Sequence, residues 1–159
     1  MISKNKLLYN EVIIKYLPAY KVVDFEDLKV ERIIEKLIAE VGNLTWVGDK
    51  NLSYDYACDL SDAKTCTLKS RGKYGYAGVI TSTETKPGAL RVVIANTITE
   101  TVEYFYIPND AIKELERAVG GQKYALKRCI RFSWSKRKQA YSKIEPFRCN
   151  SFEEMCQKS

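Results

Sequence analysis

Histidine is missing from all 159 residues of this chain, and that absence removes several common catalytic chemistries. No Ser-His-Asp or Cys-His nucleophile can be assembled, and no imidazole is present to act as a general base. Zinc is not expected either, because neither histidine nor a closely spaced cysteine pair supplies its ligands. No apolar run approaches the roughly 18 residues that cross a bilayer, and residues 1–6 lack the apolar stretch of a signal peptide. A cytoplasmic protein with no membrane partner is expected. The five cysteines are an odd number without a C-x-x-C pair, which favours reduced thiols packed as small hydrophobes over disulfides. Catalysis in such a chain must run on carboxylates, lysines, tyrosines, a thiol or a bound metal.

Charge is plentiful and unevenly placed. The formal net charge is +6, and residues 122–144 contain no acid. That basic segment holds Lys123, Lys127, Arg128, Arg131, Lys136, Arg137, Lys138 and Lys143, interleaved with Tyr124, Phe132, Trp134 and Tyr141. A second group, Lys69, Arg71 and Lys73, lies beside Tyr74 and Tyr76 in a glycine-containing loop. Cations concentrated this way suit a phosphate backbone, since each neutralised phosphate releases counterions. A solvated basic face with no ligand is the alternative.

The length fits one domain. Residues 4–16 read as a short helix stopped near Pro18. The clearest helix is 24–41, capped by Asp24, closed by Gly42, and apolar on one face through Val30, Ile33, Ile34, Leu37, Ile38 and Val41. Strands are expected at 44–47, 52–58, 62–69, 77–83, 89–95 and 101–107, with 70–86 as loop and hairpin. Asn109 is placed to cap a helix to about Ala118, ended by Gly120 and Gly121. Residues 123–134 suit a long basic strand and 151–157 a terminal helix. This order predicts a single α+β domain with a central mixed sheet flanked by helices.

Asp/Glu-x-Lys occurs three times: Asp27-Leu-Lys29, Asp62-Ala-Lys64 and Glu84-Thr-Lys86. The first falls in a helix, where positions two apart diverge. The third leads into Pro87-Gly88 and reads as a solvated hairpin end. Asp62 and Lys64 open a strand, where i and i+2 share a face, and Asp55 precedes them by seven residues. Folded together, Asp55 and Asp62 could share a hard divalent ion, with Lys64 alongside. Such a group suits phosphodiester cleavage, in which lysine offsets developing negative charge.

The segment Tyr54-Asp55 … Asp62-Ala63-Lys64, preceded by a helix carrying glutamates, resembles the PD-(D/E)xK nuclease motif. The later segments, from Gly88 to Ala95 and from Tyr104 to Ile112, look like the sheet and helix of small restriction-endonuclease-like proteins. The likeness covers about 24–118 as catalytic core, with 122–144 as a DNA-contacting segment. No proline precedes Asp55. The resemblance implies a Mg²⁺-dependent endonuclease of double-stranded DNA, of restriction or homing type, in which Mn²⁺ can substitute. Asp55 and Asp62 would be the metal ligands, with Asp55, Asp62, Lys64 and a helix glutamate as catalytic residues. Glu31 is favoured for that last role over Glu35. Lys69, Arg71, Lys73, Tyr74, Lys127, Arg128, Arg131, Lys136, Arg137 and Lys138 are the expected DNA contacts. One active site per chain makes a homodimer the natural way to cut both strands. Other readings are a non-catalytic sequence-specific DNA-binding protein, a nuclease acting on RNA or branched DNA, and an interaction protein for an acidic partner.

Overall fold

The computed structural model describes residues 2–20, 29–48, 51–119 and 127–159, with the backbone alone for 18–20. It is a mixed α+β domain, as the order of sequence patterns predicts. The N-terminal segment forms α1 (Lys4–Leu8), a π-helical turn (Tyr9–Ile13) and α2 (Ile14–Tyr20). The helix therefore runs past Pro18, where the sequence suggested a stop. Helix α3 (Val30–Gly42) buries Ile33, Ile34, Leu37, Ile38 and Val41 along the expected stripe. Its N-cap is Lys29; the Asp24 cap inferred from sequence lies outside the described residues. Gly42 is the last helical residue, and Asn43 takes the left-handed position after it. Glycine is required at 42 for a different reason: a side chain there would run into the Cys156 carbonyl.

The sheet contains β1 (Asp62–Ser70), β2 (Tyr76–Thr81), β3 (Leu90–Asn96), β4 (Thr101–Ile107), β5 (Arg117–Ala118), β6 (Arg128–Ser135), β7 (Ala140–Tyr141) and β8 (Arg148–Cys149). Two further helices are α4 (Asn109–Leu115) and α5 (Phe152–Gln157). Strand order is β5-β6-β2-β1-β3-β4-β8, with β7 paired to β6. Among the described strands only β1 and β3 run parallel, in register from Asp62↔Leu90 to Leu68↔Asn96. Strands β1 and β2 share a ladder of just two pairs, Lys69↔Ala77 and Ser70↔Tyr76, at the hairpin end. Away from the hairpin they part, so the sheet opens into two halves.

One sheet face, through Ala63, Val93, Ala95 and Val102, packs on the helices with Leu8, Val12, Ile34, Leu37, Phe152 and Met155. The second core lies between the two halves and joins Cys66, Leu68, Val92, Ile94 and Phe105 to Ile80, Ile130, Phe132 and Trp134. Tyr141 sits between them, with its ring centroid 5.4 Å from both Phe105 and Phe132 in edge-on contacts. Cys66, Cys129, Cys149 and Cys156 are buried free thiols, whereas Cys58 is exposed rather than packed as a small hydrophobe.

Residues 44–47 and 52–58 are not strands. Their pairing reduces to a single bridge, Trp46↔Tyr56, and Asp55 stands in a turn. Asn109 does not cap α4 either. Pro108 holds the cap position, and the Asn109 side-chain amide donates instead to the Lys86 and Gly88 carbonyls, at 2.7 and 3.0 Å. Gly120 and Gly121 lie outside the described residues.

Candidate active site

Three backbone segments meet at the start of β1. The first is the turn 55–61. The Ser61 carbonyl accepts from the Asp55 and Tyr56 amides at 3.0 and 3.1 Å, and Leu60 adopts a positive φ of 61°. This closes the turn tightly enough for the Asp55 Oδ2 to accept from the Ala63 amide at 2.8 Å. Asp55 thus reaches β1 by capping its edge rather than by running beside it as a strand. The Tyr56 hydroxyl donates to the Glu35 carbonyl at 2.7 Å, fastening the turn to α3.

The second segment is 82–89. Because β3 is parallel to β1, the chain leaving β2 must return to the beginning of β1, and this passage carries Lys86 with it. Gly88 permits the close approach: a β-carbon there would strike the Leu60 and Asp59 carbonyls. Lys86 Nζ lies 3.0 Å from Asp62 Oδ2 and donates to the Ser53 carbonyl at 3.0 Å. Lys64 Nζ lies 3.5 Å from the same Asp62 oxygen. Sequence patterning placed Lys86 in a solvated hairpin end, yet its side chain is only 10% exposed. The distant Asn109, holding both carbonyls of this loop, is what brings it inward.

The third contributor is α3. Glu31, the glutamate favoured from sequence, is paired with Lys4 at 2.9 Å, and the salt bridge offsets its burial to hold the carboxyl below its usual range. Glu35, one turn on, is the helix acid that lines the cleft. It accepts from Arg32 Nη1 at 3.1 Å and from the Trp46 indole at 3.3 Å. Burial raises the Glu35 carboxyl, opposed by the Trp46 hydrogen bond and by Arg32.

The result is an open cleft of about 320 Å³ bordered by Arg32, Glu35, Asp55, Asp62, Lys64 and Lys86. Asp55 is driven well above the ordinary carboxyl range, first by burial and then by the Asp62 carboxylate it touches, with Glu35 adding to the effect. Two carboxyls forced together in this way would be relieved by a cation held between them. Their donor set is all oxygen, which fits Mg²⁺, an ion commonly held by one or two carboxylates while keeping several waters. Among the described residues no three acids or thiols converge as a ready-made cage.

Behind the turn lies a buried arginine that sequence reading passed over. Arg91, fully buried, donates to the Ser61 hydroxyl at 3.2 Å, to Asp59 at 2.7 Å, and to the Met155 and Lys158 carbonyls. Its guanidinium also stacks 5.0 Å from the Tyr106 ring. Burial would raise the Asp59 carboxyl, but hydrogen bonds from Ser61 and Arg91 hold it below the usual range. An Arg in the apolar run Leu90–Asn96 was the available signal.

The basic groups fall in two places. Lys127 is exposed at the cleft end of β6, next to Arg128, which is paired with Glu116 at 3.1 Å. Arg131 is exposed midway along β6. Lys69, Arg71, Lys73 and Tyr74 stand at the other end of β1, away from Asp55 and Asp62. Lys136, Arg137 and Lys138 lie exposed in the β6–β7 turn, also at that far end.

Compared with known protein-family models and with curated proteins, the sequence matches none. Among the described residues no helix is long and apolar enough to cross a membrane.

Proposed function

We propose that the protein is a metal-dependent endonuclease that hydrolyses phosphodiester bonds of double-stranded DNA at specific sites, as restriction or homing enzymes do. The observation that carries this reading is the convergence of Asp55 and Asp62 on one cleft that also presents Lys64 and Lys86.

In this reading Asp55 and Asp62 hold Mg²⁺, with Mn²⁺ able to replace it. When bound, the ion supplies Lewis-acid neutralisation of the phosphate. The chain's own residues do the rest. The Ala63 amide fixes the Asp55 carboxylate, and the turn closed on Ser61 keeps it against Asp62. Lys64 offsets negative charge developing on the phosphate oxygens. Lys86, anchored through Ser53, orients Asp62 and adds a second positive charge to the cleft lining. Glu35, held by Arg32 and Trp46, borders the site from α3. One such cleft per chain makes a cytoplasmic homodimer the simplest assembly for cutting both strands.

Purified protein incubated with plasmid and phage DNA, in Mg²⁺ or EDTA and beside Asp62→Ala, tests the reading. Discrete fragments that require Mg²⁺ and vanish in the variant are expected. Cleavage retained by Asp62→Ala overturns the site. DNA binding without cleavage on any substrate replaces the nuclease with a binding protein.

A further inference from the structure

Beyond Lys64, β1 borders a second, separate groove of about 250 Å³, lined by Thr65, Thr67, Lys69 and Arg71 from β1 and its turn and by Val79 and Thr81 from β2. The β2 ladder reaches only the last two residues of β1; before it, Thr65 and Thr67 border the groove, while the Cys66 thiol between them donates to the Val79 carbonyl at 3.2 Å. The groove leads to the β1–β2 turn, which carries Arg71, Lys73 and Tyr74. Tyr74 is 79% exposed, with Lys73 Nζ 5.3 Å from its ring.

Strand register brings the other basic turn to the same place. Ser70 pairs with Tyr76, Tyr76 with Trp134, and Ser135 with Ala140. The β6–β7 turn, with Lys136, Arg137 and Lys138, therefore projects from the sheet end that carries Lys73. The described residues of these two turns include no acid. From Asp62 to Ser70 a strand rising about 3.3 Å per residue covers roughly 25 Å.

Resting on the nuclease reading above, we infer that the two turns form one remote anchor for the DNA substrate. A phosphate backbone leaves the acidic cleft, follows the Thr65–Thr67 edge and is gripped at the far end of the sheet. With one phosphate pair per roughly 3.4 Å of duplex, the anchor engages DNA about seven to eight base pairs from the scissile bond. The threonine hydroxyls along the way suit phosphate and sugar contacts that fix position without reading sequence. Separated clusters of this kind select a substrate with a duplex arm of sufficient length on one side of the cut.

The test uses Asp62→Ala, which cannot cut in the nuclease reading, in Ca²⁺. Fluorescent DNA duplexes containing the cleaved site, or random sequence where none is known, carry arms of four to sixteen base pairs. Affinity is expected to rise with arm length to about eight base pairs and then level. Adding Lys136→Ser, Arg137→Ser and Lys138→Ser should remove that rise while leaving the shortest duplex bound as before. It should also lower the salt-dependence exponent by about 0.9 for each phosphate that is no longer neutralised. Affinity that does not depend on arm length, or an equal weakening on every duplex, overturns the anchor. So does a length effect seen with duplex RNA and not with DNA. A failed anchor leaves plasmid cleavage intact, whereas a failed nuclease reading shows in the plasmid assay itself.

Discussion

Asp59 and Arg91 link the acidic turn to the C-terminal helix, and their worth depends on pH. Arg91 is wholly buried, so removing its carboxylate partner leaves a charge satisfied only by carbonyls and one hydroxyl. Asp59→Asn should cost about 2 kcal/mol at neutral pH, less than the 3–5 kcal/mol typical of a fully buried pair because Asp59 is partly exposed. The Asp59 pKa is lowered on folding from its ordinary 3.8. The contribution is therefore complete above about pH 3.8 and is lost as pH falls through the lowered value. Urea unfolding of both proteins between pH 2 and 7 should show the gap closing only at the acid end. Lys86 makes a second residue-scale case. Lys86→Met removes the closer of the two cations on Asp62 and should destabilise by about 1.5–3 kcal/mol, the range for a charge-assisted hydrogen bond. Lys64→Met should cost less stability but more cleavage. Equal effects of the two on both readouts would erase the distinction. Lys86 did not stand out in the sequence as a site residue, and Glu35 stood there only second to Glu31. Asp62 and Lys64 did, because their i, i+2 spacing is local information, whereas Lys86 is drawn in by Asn109 and Glu31 is drawn away by Lys4.

At the scale of elements, patterning served where periodicity dominates. The apolar stripe of α3 and the strands around Asp62–Ser70 and Thr101–Ile107 were legible because side-chain alternation and burial agree there. The stretch 52–58 was misread as a strand because Tyr54 and Tyr56 mimic strand composition. Its actual shape comes from the Ser61 carbonyl and from Arg91, contacts that spacing does not encode. The loop 82–89 is equally non-local, and Gly88 tests it. Gly88→Ala forces a β-carbon against the Leu60 and Asp59 carbonyls, so the loop must retreat. A loss of about 1–3 kcal/mol is expected from such overpacking, together with weakened cleavage as Lys86 moves off Asp62. An unchanged urea midpoint would show that the loop yields freely.

For the molecule as a whole, the crowded carboxyls imply stabilisation by ligand. A cation that binds only the folded chain, at a hundred times its dissociation constant, adds about 2.7 kcal/mol, or roughly 5–10 °C in melting temperature for a domain of this size. Mg²⁺ and Ca²⁺ should both raise the melting temperature of the wild type, and neither should move Asp62→Ala. Tryptophan occurs twice, and the two copies sit in contrasting surroundings. Trp134 is sealed in the second core at 4% exposure. Trp46 hydrogen-bonds Glu35 at the edge of the cleft, with the Arg32 guanidinium 5.0 Å from its ring. Emission from Trp46 should therefore report optically on ions and phosphates entering the cleft, against a steady background from Trp134. In Trp46→Phe that signal should disappear, so occupancy can be followed in a cuvette where no bond is being broken.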